Sequence, residues 1–171
     1  MDYTRRMGGA ALGARLRRLS EAIDRDATRA YATIGVRFEQ RWFGVLNQLA
    51  LNGPMTVSEL AAALRITRAS VSQARQSLED AGIVETEEHP SDARQRHLLL
   101  TGAGSKLIGR LKPLWQAMEA AALEVDAEAG NVVAALDRLD EVLVRQSMLD
   151  RIVKRLSRTG HKPRTRSGHF P

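Results

Sequence analysis

The chain has 171 residues, enough for one domain or one domain with an extended appendage. Its composition, 43% hydrophobic and 27% charged, is that of a globular protein, and the low aromatic content of 4% makes the core aliphatic and favours helices. The absence of cysteine excludes disulfides, thiolate metal sites and a thiol switch. A net charge of +6 and a pI of about 10.4 point to a polyanionic partner, most simply nucleic acid. A solvated basic surface is the plain alternative. No run of 18 apolar residues predicts a membrane span, and the basic N-terminus lacks the apolar stretch of a secretory signal. The cytoplasm is the expected compartment.

Residues 1–9 read as a flexible N-terminus. From about Ala10 to Thr33, Leu12, Leu16, Leu19, Ile23, Ala27, Ala30 and Tyr31 recur at three- and four-residue steps, which predicts a helix. A second helix fits Phe38 to Leu51, stopped by Asn52-Gly53-Pro54. Thr56 followed by Glu59 is a capping box, so a short helix should run to about Leu64. Thr67 can cap another through about Asp80, with Gly82 as its stop. Two short capped helices joined by a tight turn form a helix-turn-helix pattern.

Ile83 to Glu88 and Gln95 to Leu100 read as strands, with HPSDAR as the tip between them. A helix follows from Thr101-Gly102 to about Asp126 and contains Pro113, which should kink it. Gly130-Asn131 breaks the chain. The last helix is expected from Val132 to Leu156, with Leu136, Leu139, Val142, Leu143, Leu149, Ile152 and Leu156 on its seam. Ser157 to Pro171, basic and almost devoid of apolar residues, reads as a disordered tail.

Helix, helix and hairpin in that order make a winged helix-turn-helix. On the second helix Val71, Ala74 and Leu78 form the buried stripe. Ala69, Ser72, Gln73 and Gln76 point the other way and give a small, neutral-polar face suited to a major groove. An ordinary solvent-exposed helix is the competing reading.

The stretch MTVSELAAALRITRASVSQARQSLEDAGIVETEEHPSDARQRHLLLTGAGSKL resembles the winged-helix core of the MarR family of bacterial transcriptional regulators. The resemblance lies in TVSELAAAL, in VSQARQSLEDAGIV, in the wing with Asp92 and Arg94, and in LLLTGAG. It is strongest over Phe38 to Leu107. It implies a mostly α fold with a small β wing. The winged helix-turn-helix core spans 36–101, flanked by dimerisation helices at 10–35 and 102–156, with a basic tail at 157–171.

By resemblance, Thr67, Arg68, Ala69, Ser70, Gln73 and Gln76 fall on the groove face of the recognition helix. Gln73 could pair with adenine N6 and N7. Arg94 matches a wing arginine that relatives insert into the minor groove, Asp92 resembles the acidic residue that shapes that wing, and Arg96 is a phosphate contact. Thr86 departs from the pattern, since many relatives carry a basic residue there. From Thr56 to His97 five basic residues face seven acidic ones, a balance of −2, so the positive charge of this chain sits at its ends.

The resemblance further implies double-stranded DNA as partner, a homodimer on a pseudo-palindromic operator, and release by a small aromatic or anionic effector. Tyr31, Arg37, Phe38, Arg41, Trp42 and Phe43 concentrate rings and guanidinium groups where such a ligand would sit. Core packing with extended arginines is the other reading of the same residues. No cofactor and no metal site is expected: the four histidines have no ligand spacing, and no nucleophile motif or phosphate loop occurs, which argues against an enzyme. Two alternatives stay open. One is a winged helix used only for protein contacts, favoured by the acidic module. The other is a stand-alone relative of the regulatory half of regulator–acetyltransferase fusions, which YATIGVRFEQRWFGVL resembles.

Overall fold

Two threonines begin the helix-turn-helix. Thr56 accepts a hydrogen bond from the Glu59 amide at 3.1 Å, and the Glu59 carboxylate accepts one from the Thr56 amide at 2.7 Å. This reciprocal cap starts α4 (Val57–Leu64). Thr67 accepts from the Ser70 amide at 3.1 Å and starts α5 (Arg68–Asp80). Between them Arg65 takes a left-handed conformation, with φ 52°, and closes the turn. Helix α5 ends in a Schellman motif: Ile83 N donates to Leu78 O at 3.0 Å around Gly82, whose φ is +67°.

The computed structural model describes residues 3–89 and 92–159, and the side chains of 88, 89 and 92–95 fall outside that description. The elements before the helix-turn-helix are α1 (Tyr3–Arg6), a 3₁₀ turn (Gly8–Ala11), α2 (Leu12–Thr33), α3 (Trp42–Asn52) and β1 (Met55–Thr56). After it come β2 (Val84–His89), β3 (Asp92–Leu100), α6 (Gly102–Glu128), α7 (Val132–Arg145) and α8 (Met148–Arg158). The architecture is mostly α with a three-stranded antiparallel sheet ordered β1-β3-β2.

The chain divides into two units at Met118/Glu119. In the first, one core takes Leu46 and Leu49 from α3, Leu60 from α4, Val71, Ala74 and Leu78 from α5, Val84 and Leu98 from the hairpin, and Leu111 from α6. Complete burial of each leucine contributes about 1.5–3 kcal/mol before entropy is set against it. The sheet contributes one face, with Val84 opposite Leu100 and Thr86 opposite Leu98. The base of the hairpin is locked to α6. The Ile83 carbonyl accepts from the Thr101 amide at 3.1 Å, and the Thr101 hydroxyl donates to Gly82 O at 2.8 Å while accepting from Gly104 N at 3.0 Å.

At the start of this unit four rings meet. Tyr31 stacks on Phe38 with centroids 4.2 Å apart, and Phe38 meets Trp42 and Trp115 edge-on at 5.6 and 6.2 Å. Trp115 Nε1 donates to the Tyr31 hydroxyl at 2.9 Å. Burial raises the Tyr31 pKa, opposed by the hydrogen bond from Trp115.

The second unit is different. Neither α7 nor α8 has a buried residue, and Val132, Val133, Leu136, Leu143, Met148, Leu149, Ile152 and Leu156 are all exposed.

Several elements depart from the sequence reading. The first nine residues, expected to be flexible, include the helical turn of α1 and the first half of the 3₁₀ turn. The second helix starts at Trp42, not Phe38, because Val36 and Phe38 are buried from the non-helical segment between α2 and α3. Strand β1 was not foreseen. The wing strands reach to His89 and from Asp92, so Asp92 and Arg94 lie on β3 and not in a loop tip. The single last helix is two, broken at Gln146, with Ser147 capping α8 by accepting from Asp150 N at 3.1 Å. Helix α8 runs to Arg158, into the segment read as a tail, while residues 160–171 lie outside the described residues.

Two outcomes are expected from this packing. A Cβ at Gly104 would stand 2.1 Å from the Ile83 carbonyl oxygen, so Gly104→Ala should destabilise the first unit by roughly 1–3 kcal/mol in urea unfolding. Because the folded Tyr31 pKa is raised, its stabilising effect is complete below the ordinary value near 10 and is lost as pH rises from there through the folded value. Tyr31→Phe should therefore show a smaller loss of stability above pH ~10 than the unsubstituted chain in alkaline titrations of unfolding.

Candidate nucleic-acid interface

Helix α5 presents the face that the sequence assigned to it. Val71 and Leu78 are completely buried and Ala74 nearly so. Thr67, Arg68, Ala69, Ser70, Gln73 and Gln76 are all exposed. Helical geometry separates the two groups: at 3.6 residues per turn, positions 69, 73 and 76 fall opposite 71, 74 and 78. The exposed face is uncharged at its centre. It offers amide donors and acceptors, which suits contact with base edges.

Four polar contacts shape this face and its flank. The Thr67 and Ser70 hydroxyls are 2.9 Å apart, so both stay close to the helix start. Gln76 Nε2 donates to Asp80 Oδ1 at 2.9 Å, which draws its amide along the helix. Gln73 is left as the long, neutral side chain in the middle of the surface. On the flank toward the hairpin, Glu79 accepts a hydrogen bond from the Thr86 hydroxyl of β2, and its other oxygen lies 3.8 Å from Arg75 Nε. The Thr86 hydroxyl, at the position where the resemblance led to the expectation of a basic residue, thus partners α5.

On the wing, Arg96 is exposed, and Asp92 and Arg94 belong to β3, two residues apart in an extended strand. Their side chains are outside the described residues. The hairpin register slips between Glu88 and His89.

The six residues read as a ligand pocket do not converge on one cavity. Tyr31, Phe38 and Trp42 are buried and packed on one another. Phe43 meets Trp115 edge-on at 5.2 Å and is part-exposed. Arg37 and Arg41 stay on the surface, where they line an open cleft with Glu39, Trp42, Gln73, Gln76, Ser77 and Asp80. Core packing with surface arginines thus describes most of this cluster. Arg41 is held by Glu39, through Nε and Nη2 at 2.6 Å each.

The sequence reading missed Glu39 and Ser77. Ser77 Oγ donates to Glu39 Oε1 at 3.2 Å and accepts from Trp42 Nε1 at 3.1 Å. No local spacing signals a pair 38 positions apart. Among the described residues no group of three or more His, Asp or Glu could hold a metal, and no helix is long and apolar enough to cross a membrane.

Comparison with known proteins agrees with this architecture. Residues 36–95 match the MarR family model. A protein of Thauera aromatica described as a transcriptional regulatory protein for the hcr operon is 30% identical over 131 residues, covering 75% of this chain and 78% of that protein. The transcriptional repressor CouR, solved on a 23-mer DNA duplex, superposes with a TM-score of 0.62 at 27% identity, over 80% of this chain and 96% of that one. BpsR of Bordetella bronchiseptica, whose DNA binding is regulated by 6-hydroxynicotinic acid, superposes with a TM-score of 0.64 at 20% identity, over 75% of this chain and 91% of that one. With the capped helix pair, the wing and these relatives together, the chain belongs to the MarR family of transcriptional regulators and is a DNA-binding winged-helix protein.

Proposed function

We propose that the protein is a repressor that binds a pseudo-palindromic operator as a homodimer, with α5 in the major groove and the wing in the minor groove. The observation that carries this reading is the surface of α5. Its apolar stripe is buried, and the opposite face, at Ala69, Gln73 and Gln76, is exposed and uncharged. Gln73 and Ala69 meet base edges, Arg68 and Ser70 reach phosphates at the helix start, and Arg94 enters the minor groove beside Asp92, with Arg96 on the backbone. The likeness to a DNA-bound repressor supports the repressor role. A cytoplasmic location fits a regulator that works on DNA.

The dimer is supported by apolar faces that the described chain leaves bare. Helix α2 exposes Leu12, Leu16, Leu19 and Ile23, the first three of which line a groove with Gly8, Gly9 and Arg15. Helices α7 and α8 expose most of their apolar seam. A second copy covering these surfaces would place two recognition helices on successive half-sites. In this arrangement residues 36–101 read DNA, and 10–35 and 102–156 hold the dimer, although the end of α2, at Ala27 and Tyr31, is also part of the winged-helix core. Release by a small aromatic or anionic effector rests on family likeness. The arginine-lined cleft beside α5 supports an anionic ligand better than the filled ring cluster does.

Fluorescence anisotropy on the DNA upstream of the protein's own gene, against scrambled DNA of equal length at two salt concentrations, tests the reading. A clear preference for the upstream DNA is expected, and Arg94→Ala should weaken that binding by about 1–3 kcal/mol. Binding to neither DNA would shift the weight to a winged helix used for protein contacts. In sedimentation, the unsubstituted chain should run as a dimer, and Leu149→Glu with Ile152→Glu should give monomers at micromolar concentration.

A further inference from the structure

Helix α5 is hydrogen-bonded on both flanks. On one, Glu79 meets Thr86 of the hairpin. On the other, Ser77 donates to Glu39 at 3.2 Å and accepts from the Trp42 indole at 3.1 Å. Underneath, the contact is aliphatic: Val71, Ala74 and Leu78 rest on the core. Aliphatic burial holds the helix down but is non-directional, so it offers little resistance to a roll about the helix axis. Hydrogen bonds are directional, and a pair on opposite flanks resists roll in both senses.

Small rolls matter for base reading. Side-chain ends stand about 5–6 Å from the axis, so a roll of about 10° moves them by roughly 1 Å. That is enough to break a bidentate contact between an amide and a base edge.

The Glu39 carboxylate is itself fixed. Arg41 takes Oε2 with two N–H groups, leaving Oε1 for Ser77. Without that acceptor, the Ser77 hydroxyl would be free to turn to a carbonyl of its own helix, as serines in helices do. Glu39 is also one residue from Phe38, which is pinned between Tyr31 and Trp115. The tether is therefore anchored in the ring cluster.

We propose that Glu39 is a positioning residue for DNA reading: through Ser77 it sets the roll of α5, so that Gln73 meets the base edge squarely. This rests on the DNA-reading role of α5 proposed above.

The test uses the full-length protein with Ser77→Ala, Ser77→Thr and Glu39→Ala. Two quantities are read: the ratio of affinities for upstream and scrambled DNA, and amide hydrogen exchange along α5 without DNA. Ser77→Ala and Glu39→Ala should lower the ratio roughly tenfold, through the upstream DNA alone, and speed exchange in α5 but not in α4. Ser77→Thr, which keeps the hydroxyl, should stay near the unsubstituted values. Should Glu39→Ala fail to fold, Ser77→Ala decides. An unchanged ratio with unchanged exchange in Ser77→Ala overturns the proposal, as does an equal loss on both DNAs. If the unsubstituted protein does not distinguish the two DNAs, the proposed DNA reading fails, and exchange alone then decides the tether.

Discussion

The packing of Tyr31, Phe38, Trp42 and Trp115 is the contact on which the first unit is organised. It joins the end of α2, the non-helical segment after it, the start of α3 and the middle of α6. Ring pairs of this kind contribute about 0.5–1.5 kcal/mol each beyond the area they bury. Their larger effect is geometric. The segment 34–41 has no regular structure of its own, and Phe38 gives it a fixed path. Glu39 and Trp42 can therefore present their polar atoms to α5. The same packing explains why these rings do not form a ligand cavity: they are already in contact with one another.

Charge and recognition are spread over different parts of the chain. The winged-helix module carries more acid than base, and the exposed face of α5 is uncharged at its centre. The cations lie in the helices on either side, at Arg15, Arg17 and Arg18 in α2 and at Lys154, Arg155 and Arg158 in α8. Attraction to phosphate needs only proximity and number, whereas reading a base needs placement. Not every basic residue is free for phosphate. Arg151 donates to the carbonyls of Gln146 and Val142 at 3.2 and 3.3 Å and so closes the end of α7.

How much was legible in the sequence follows the range of the interactions. Caps at Thr56 and Thr67 act over three residues, and they were readable with their exact helix starts. The buried stripe of α5 follows from helical period alone. Strand β1 was not readable, because two residues become a strand only by pairing with Leu98 and His97, some 40 positions on. Phe38 looked helical because an apolar residue in a packed extended segment has the same hydropathy as one on a helix face. The Ser147-x-x-Asp150 cap was present in the sequence, but the continuous apolar seam around it masked the break. Of the candidate interface, the division of α5 into a buried and an exposed face could be read, and the Glu39–Ser77 contact could not.

The second unit buries none of its apolar residues within the described chain, and this has a consequence for the life of the molecule. A surface covered only by association gains stability as the logarithm of the concentration of what covers it. Under the homodimer proposed above, a newly made chain is at its most vulnerable to proteases and to sticking when the protein is scarce. As the protein accumulates, the uncovered interval shortens. Persistence would then depend on abundance, with dilution at cell growth acting on survival as well as on number.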